Sequence, residues 1–216
     1  MIRLWHVPQS RSFRVLWLLE EIGAAHEVIA CSFFDKSLRG AAHLARSPAG
    51  RVPAVEVDGQ SLCESGAILQ YLVESRAPDL APAPGAPGRA AWLQWLHFAE
   101  TIGAHLANLT QQHIVLREDW MRSPTVMRLE ARRLALCLEA AAAQAGAGWL
   151  LGPFSAADVA VGYGFVTGRR FVDLGGIPGA QAYLERIAAR PAFQRAMERD
   201  GPAQIYTQGF YAAPEG

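Results

Sequence analysis

Hydroxyl, carboxylate and imidazole side chains that could do chemistry cluster in a few short runs of this 216-residue chain. The first is Pro8-Gln9-Ser10-Arg11-Ser12-Phe13-Arg14, between a short apolar run and a helical one. A hydroxyl there stands at a helix N-terminus, where free N–H groups and the macrodipole favour negative charge. It can stabilise an anion such as a thiolate, or simply cap the helix. The second run is Gly50-Arg51-Val52-Pro53-Ala54, just ahead of a strand. A cis bond before Pro53 would turn the Val52 backbone outward, ready to pair with an extended peptide. A trans bond would open an ordinary edge strand, and trans is the commoner form. The third run is Glu64-Ser65-Gly66-Ala67-Ile68. Free N–H groups behind a Ser65 cap can bind a carboxylate and Glu64 can pair with an ammonium, so together they suit an α-amino-acid head group. The competing reading is a plain N-cap. The fourth run, Phe154-Ser155-Ala156-Ala157-Asp158, has capping-box spacing and reads as structural: it nucleates a buried helix, with Phe154 as a staple onto Val159.

Other chemistries find little support. The six histidines are His6, His26, His43, His97, His105 and His113. His97, His105 and His113 recur at a spacing that turns each by about 80° from the last on a helix, so they share no face. No HExxH, CxxC, GxGxxG or GxxxxGK[ST] run is present, which argues against a metal site, a dehydrogenase and an NTPase. Twenty basic residues balance twenty acidic ones, 8 against 8 up to Ala77 and 12 against 12 after it. Nucleic-acid binders show a basic excess or stripe, and none is present; nor is there a basic patch for a membrane surface. No apolar run is long enough to span a bilayer, and Met1-Ile2-Arg3-Leu4-Trp5-His6 does not read as a signal peptide. Three widely spaced cysteines, Cys31, Cys63 and Cys137, suit a reducing compartment, so the expected location is cytoplasmic.

The elements that must position these runs divide at Ala77–Gly88, which holds four prolines and two glycines in twelve residues. Before it, the pattern predicts a strand at Ile2–His6, a helix at 12–22 closed by Gly23, and a strand at 26–31. A weak helix follows over 36–45, then a hairpin across Asp58-Gly59 and a helix at 65–74. Strand–helix–strand implies a parallel pair and the hairpin adds an antiparallel edge. After the linker, long periodic segments at 89–116 and 125–144 are followed by helices at 155–167, 179–189 and 191–199. The expected class is α+β with two domains: residues 1–77 as βαβαββα, 78–88 as linker, and 89–216 all helical.

In order and spacing these motifs resemble the cytosolic glutathione transferase family over nearly the whole chain. The likeness is carried by Ser10-Arg11-Ser12-Phe13-Arg14 entering a helix that ends Leu18-Leu19-Glu20-Glu21-Ile22-Gly23. It continues through Ser47-Pro48-Ala49-Gly50-Arg51-Val52-Pro53-Ala54, the hairpin, Glu64-Ser65-Gly66-Ala67-Ile68, the Pro-rich linker and the Ser155-to-Asp158 cap. The resemblance implies a thioredoxin-like N-terminal domain, a helical C-terminal domain with a second-substrate pocket, a homodimer and a cis Pro53. It implies glutathione as co-substrate, no metal, and activation of its thiolate for attack on a small hydrophobic electrophile, a detoxification chemistry. On this reading Val52 and Pro53 hold the cysteinyl part, Glu64 and Ser65 the γ-glutamyl head, and Arg51 lies near the glycyl end. Ser10 is the hydroxyl beside the sulfur, with Ser12 second. Trp5-His6-Val7 stands where some members carry a catalytic tyrosine, and no cysteine precedes Cys31, so the pattern is that of a bacterial serine-type member. His97, Glu100 and His105 are candidates for the second-substrate pocket or a dimer partner's ligand. A non-catalytic binding or regulatory homologue, or a glutathione-dependent isomerase, dehalogenase or reductase, remains the alternative.

Overall fold

The computed structural model describes residues 1–214. The chain forms two compact units: Met1–Ala81 with Ala189–Ile205, and Pro82–Ala188 with the segment from Tyr206 onward. The Pro-rich stretch contains the boundary, but the division is not linear. The helix at Pro191–Asp200, expected with the helical part, packs in the first unit.

That unit is built on a four-stranded sheet of order β2-β1-β3-β4. Its strands are β1 (Ile2–His6), β2 (His26–Ala30), β3 (Ala54–Val57) and β4 (Gln60–Cys63). β1 and β2 run parallel across α1 (Ser12–Glu21), and the other pairs are antiparallel. The hairpin turns at Asp58 (φ 52°) and Gly59 (φ 74°), the left-handed pair that matches strand twist. Gly23 (φ 60°) ends α1, letting the Ala24 N–H return to the Leu19 carbonyl at 3.1 Å. The expected weak helix is broken at Gly40 into a 3-10 turn, Ser37–Arg39, and α2 (Ala41–Leu44). α3 (Ser65–Arg76) packs on α1 and β4. Trp5 and Val7 leave one face of the sheet and bury with Leu38, Val52 and Ala54. The alternation of a strand then sends Leu4 and His6 to the other face.

α8 (Pro191–Asp200) lies against α1. Phe193 meets the rings of Phe13 and Trp17 edge-on, at 5.7 and 5.0 Å between centroids. Around the rings, Arg190 forks onto Glu21 with two 2.7 Å bonds, while Arg195 and Arg199 hold Glu20 at 2.9 and 2.6 Å.

The second unit is a helical bundle of α4 (Arg89–Thr110), α5 (Pro124–Ala145), α6 (Ala156–Gly168) and α7 (Ala180–Ala188). α4 stops six residues short of the expected Leu116; a π-helical turn, Gln111–Val115, follows where the Thr110 hydroxyl bonds back to the Leu106 carbonyl. α6 is apolar nearly all round and correspondingly buried. Its Ser155–Asp158 capping box is present. Asp158 also accepts from the Leu150 N–H and the Tyr183 hydroxyl, both at 2.9 Å. The expected staple partner Phe154 stacks edge-on against Trp149 at 4.9 Å.

Candidate functional site

Three of the four runs converge in the first unit. The loop before β3 is set by Gly50 (φ 61°), where an added Cβ would lie 2.8 Å from the Leu38 carbonyl oxygen, so only glycine fits. Ser47 Oγ accepts from the Arg51 N–H at 3.2 Å and the Arg51 carbonyl bonds His43 Nε2 at 3.0 Å. These bonds hold Arg51 with its side chain in solvent, while Val52 is buried on Leu38. The Val52–Pro53 bond is cis. Among the described residues the Val52 backbone makes no hydrogen bond, so its N–H and C=O remain available for an added strand.

At the start of α3 the assignment of roles changes. Ser65 was expected to cap the helix; the N-cap is Glu64, in a left-handed conformation (φ 69°) and with no side-chain cap bond. The Glu64 side chain is exposed. Ser65 is the first helical residue, and its buried hydroxyl accepts from the Arg14 guanidinium at 3.1 Å. Arg14 sits in the first turn of α1 with no solvent exposure. A buried cation thus stands beside the first-turn N–H groups of α3, and both favour an anionic group there.

The two serines of the first run are not equivalent. Ser10 Oγ accepts from the Ser12 N–H at 3.2 Å, a capping contact one residue ahead of the formal N-cap, Arg11. The two hydroxyls bond each other at 2.7 Å. Ser12 Oγ is also 2.7 Å from His6 Nδ1 and accepts from the Val7 N–H at 3.3 Å. Ser12 is completely buried and its bonding capacity is used, whereas Ser10 is 7% exposed with capacity left over. Behind them, His6 Nε2 lies 3.2 Å from both the carbonyl and Oδ1 of Asp200, the last residue of α8. The Gln9 N–H donates to Asp200 Oδ2 at 3.0 Å.

The candidates on α4 belong to the second unit. His97 is exposed and Glu100 half-buried. His105 is engaged by Glu130: Nδ1 lies 2.7 Å from Oε2, which also accepts from Asn108, while Oε1 takes Arg133. Burial opposes ionisation of Glu130, but these partners hold its carboxyl below the ordinary range. Among the described residues no group of His, Cys, Asp or Glu is arranged to hold a metal ion, and no helix is long and apolar enough to cross a membrane.

Residues 1–74 match the family model for the glutathione S-transferase N-terminal domain. Glutathione S-transferase 3 of Schizosaccharomyces pombe is 35% identical over 101 residues, 46% of this chain and 41% of that protein's length. A crystal structure of a glutathione transferase from Methylococcus capsulatus is 31% identical, with a TM-score of 0.79, covering 93% of this chain and 98% of that one. The chain belongs to the glutathione S-transferase family. A glutathione transferase family member from Pseudomonas fluorescens, solved with two glutathione molecules bound, is 26% identical at a TM-score of 0.80, over 91% and 92% of the two chains.

Within this glutathione S-transferase fold, sequence reading missed three residues of the site region. Arg14 was visible only as a cation on an otherwise apolar helix face. His6 was noted as standing in the tyrosine position, without a role. Asp200 gave no signal, because its partners lie about 190 residues earlier in the chain. Arg170 donates to the Gln208 carbonyl at 2.8 Å and lies over the Tyr206 ring.

Proposed function

We propose that this protein is a serine-type glutathione transferase: it binds glutathione in the first unit and uses Ser10 to hold the sulfur as thiolate for attack on a small hydrophobic electrophile. The carrying observation is the asymmetry of the serines, since only Ser10 retains a hydrogen-bonding position for a ligand at the N-terminus of α1. The unpaired Val52 backbone would take the cysteinyl part of the peptide through strand-like bonds. Exposed Glu64 would meet the α-ammonium, with the α3 N-terminus, Ser65 and the buried Arg14 charge favouring the α-carboxylate beside it. Arg51, exposed in the loop before β3, would take the glycyl carboxylate.

The energetics suffice for thiol activation. A free thiol of this kind ionises near pH 8.5, so little thiolate is present at neutral pH. Lowering that value by about two units requires about 2.7 kcal/mol of preference for the charged form. One charge-assisted hydrogen bond supplies about 1.5–3 kcal/mol, and the helix N-terminus adds to it. Ser10 is a stabiliser; the nucleophile is the ligand's sulfur. His97, Glu100 and His105 are the proposed α4 contributors to the electrophile or partner side. The His105 side chain is already engaged by Glu130, while His97 is exposed and Glu100 half-buried. We place the protein in the cytoplasm as a homodimer with a detoxifying role.

Retention on immobilised glutathione, followed by turnover of a generic aryl halide, tests the proposal. Retention and turnover are expected. Retention without turnover of any electrophile in a broad panel would favour a binding protein instead, and no retention would remove the site.

A further inference from the structure

We propose that His6, backed by Asp200, receives the proton that the ligand thiol loses, through Ser12 and Ser10. This rests on the reading above that glutathione places its sulfur at Ser10. His6 is then a positioning and proton-holding residue that never touches the substrate.

The argument is a count of hydrogens. His6 Nε2 faces two acceptors, the carbonyl and the carboxylate of Asp200, each at 3.2 Å, so this nitrogen carries a hydrogen. With a neutral ring, Nδ1 is an acceptor and takes the Ser12 hydroxyl at 2.7 Å, in preference to the Val7 carbonyl, the other acceptor in reach of that hydroxyl, at 3.3 Å. Ser12 then accepts from the Val7 N–H and from the Ser10 hydroxyl. Ser10, already accepting from the Ser12 N–H, keeps one lone pair. That lone pair can receive a thiol S–H. The thiol proton passes to Ser10, the Ser10 proton to Ser12, and the Ser12 proton to His6 Nδ1. The S–H bond breaks, an N–H bond forms, and thiol plus imidazole become thiolate plus imidazolium, with charge conserved.

Every hydroxyl is satisfied after the transfer as before it. His6 Nδ1 now donates to Ser12, Ser12 donates to Ser10, and the Ser10 hydrogen points at the thiolate. No heavy atom has to move. The outcome is the donor direction that thiolate stabilisation by Ser10 requires. Without a proton on both ring nitrogens, the Ser12 hydrogen is drawn to His6 and the Ser10 hydrogen to Ser12.

The surroundings of His6 suit a cation. The Asp200 carbonyl is among the last carbonyls of α8, which take no partner within the helix, at its negative end, and the carboxylate adds a full charge. A carboxylate at a helix C-terminus is itself unfavourable. Here the Gln9 N–H and His6 offset that cost. Two cations on the flanking helices are committed elsewhere. Arg199 on α8 is turned to Glu20 at 2.6 Å, and Arg14 on α1 reaches Ser65. Cys31, after β2, lies beside the His6 backbone, and burial pushes its thiol up, keeping it neutral.

The test counts protons. Glutathione is titrated into the full-length protein by calorimetry in buffers of different protonation enthalpy, while ultraviolet absorbance reports thiolate. The wild-type protein should form thiolate with well under one proton released to buffer per thiolate, because His6 retains it. His6→Asn, Asp200→Asn and Ser12→Ala should each move the thiolate titration up by about one pH unit or more. The His6 and Ser12 variants should release one proton for every thiolate they still form. S-methylglutathione, which has no thiol proton, should bind wild type and folded variants alike. Full proton release by the wild type, or variants that titrate as the wild type does, would overturn the relay alone. Failure of the wild type to bind glutathione or its S-methyl form would overturn the underlying reading and the relay with it.

Discussion

Replacing Phe193 by alanine tests whether α8 is held in the first unit by its rings or by its ions. Phe193 is buried, with edge contacts to Phe13 and Trp17. Truncating such a core phenylalanine costs about 3–5 kcal/mol, and the edge-to-face pairs place this site toward the upper end. The ion pairs around it weigh less. The side chains of Arg195 and Arg199 are 51% and 42% exposed, so each of their pairs is screened and contributes roughly 0–1 kcal/mol. Phe193→Ala should therefore lower the melting temperature by roughly 6–20 °C, at about 2–4 °C per kcal/mol for a chain of this size. Arg195→Ala should lower it by about 4 °C or less. Thermal melts followed by tryptophan fluorescence suit the measurement, since Trp17 is fully buried beside Phe193. The variant should also bind glutathione with less thiolate, because α8 carries Asp200 to His6. A Phe193→Ala loss no larger than that of Arg195→Ala would refute the ring-centred account of this contact.

Other outcomes follow from the second unit. Asp158→Ala leaves the Leu150 and Ser155 N–H groups and two hydroxyls without their buried acceptor, and should cost about 3–5 kcal/mol in urea denaturation. Tyr183→Phe, which removes one donor, should cost about 1–2 kcal/mol. Gly164→Ala should destabilise by about 1–3 kcal/mol although alanine is the better helix former. Its Cβ would lie 2.6 Å from Ile102 Cγ2, and shortening Ile102 to alanine in the same chain should recover part of the loss. Glu130 has a folded-state ionisation held below its ordinary value of 4.5: burial works against this, but the bonds from His105, Asn108 and Arg133 prevail. The unfolded chain thus binds the proton more readily. The stabilisation from this carboxylate is present above pH 4.5 and is lost as pH falls through the lowered folded value. Glu130→Gln should flatten that acid limb; an unchanged acid limb would show that the pairing contributes nothing.

Legibility tracked the range of the interactions. The Asp58-Gly59 hairpin, the Gly23 stop and the Ser155–Asp158 box depend on residues within a few positions of each other, and they stand where the pattern puts them. β1 through α3 follow from short-range periodicity and the handedness of the crossover. The destination of α8 does not. Its apolar face is amphipathic and fits any apolar helix; only the folded chain matches Phe193 to Trp17 and Arg190 to Glu21. The site divided on the same line. Ser10, Val52, Pro53, Glu64 and Ser65 sit in local motifs and were named from them. The α3 cap was misassigned by one residue because Glu64 adopts a positive φ that sequence does not announce. Arg14 and Ser65 meet across 51 positions, and His6 and Asp200 across 194. Burial separates Ser10 from Ser12, and their spacing alone does not carry that information.

The most direct measurement of the central claim is the pH titration of thiolate absorbance for glutathione bound to the wild-type protein and to Ser10→Ala. The wild-type complex should show thiolate well below the free thiol's value of about 8.5, and Ser10→Ala should return the midpoint toward it while still binding the peptide. Identical titrations of the two proteins would contradict the assignment of Ser10 as the group that holds the sulfur anion.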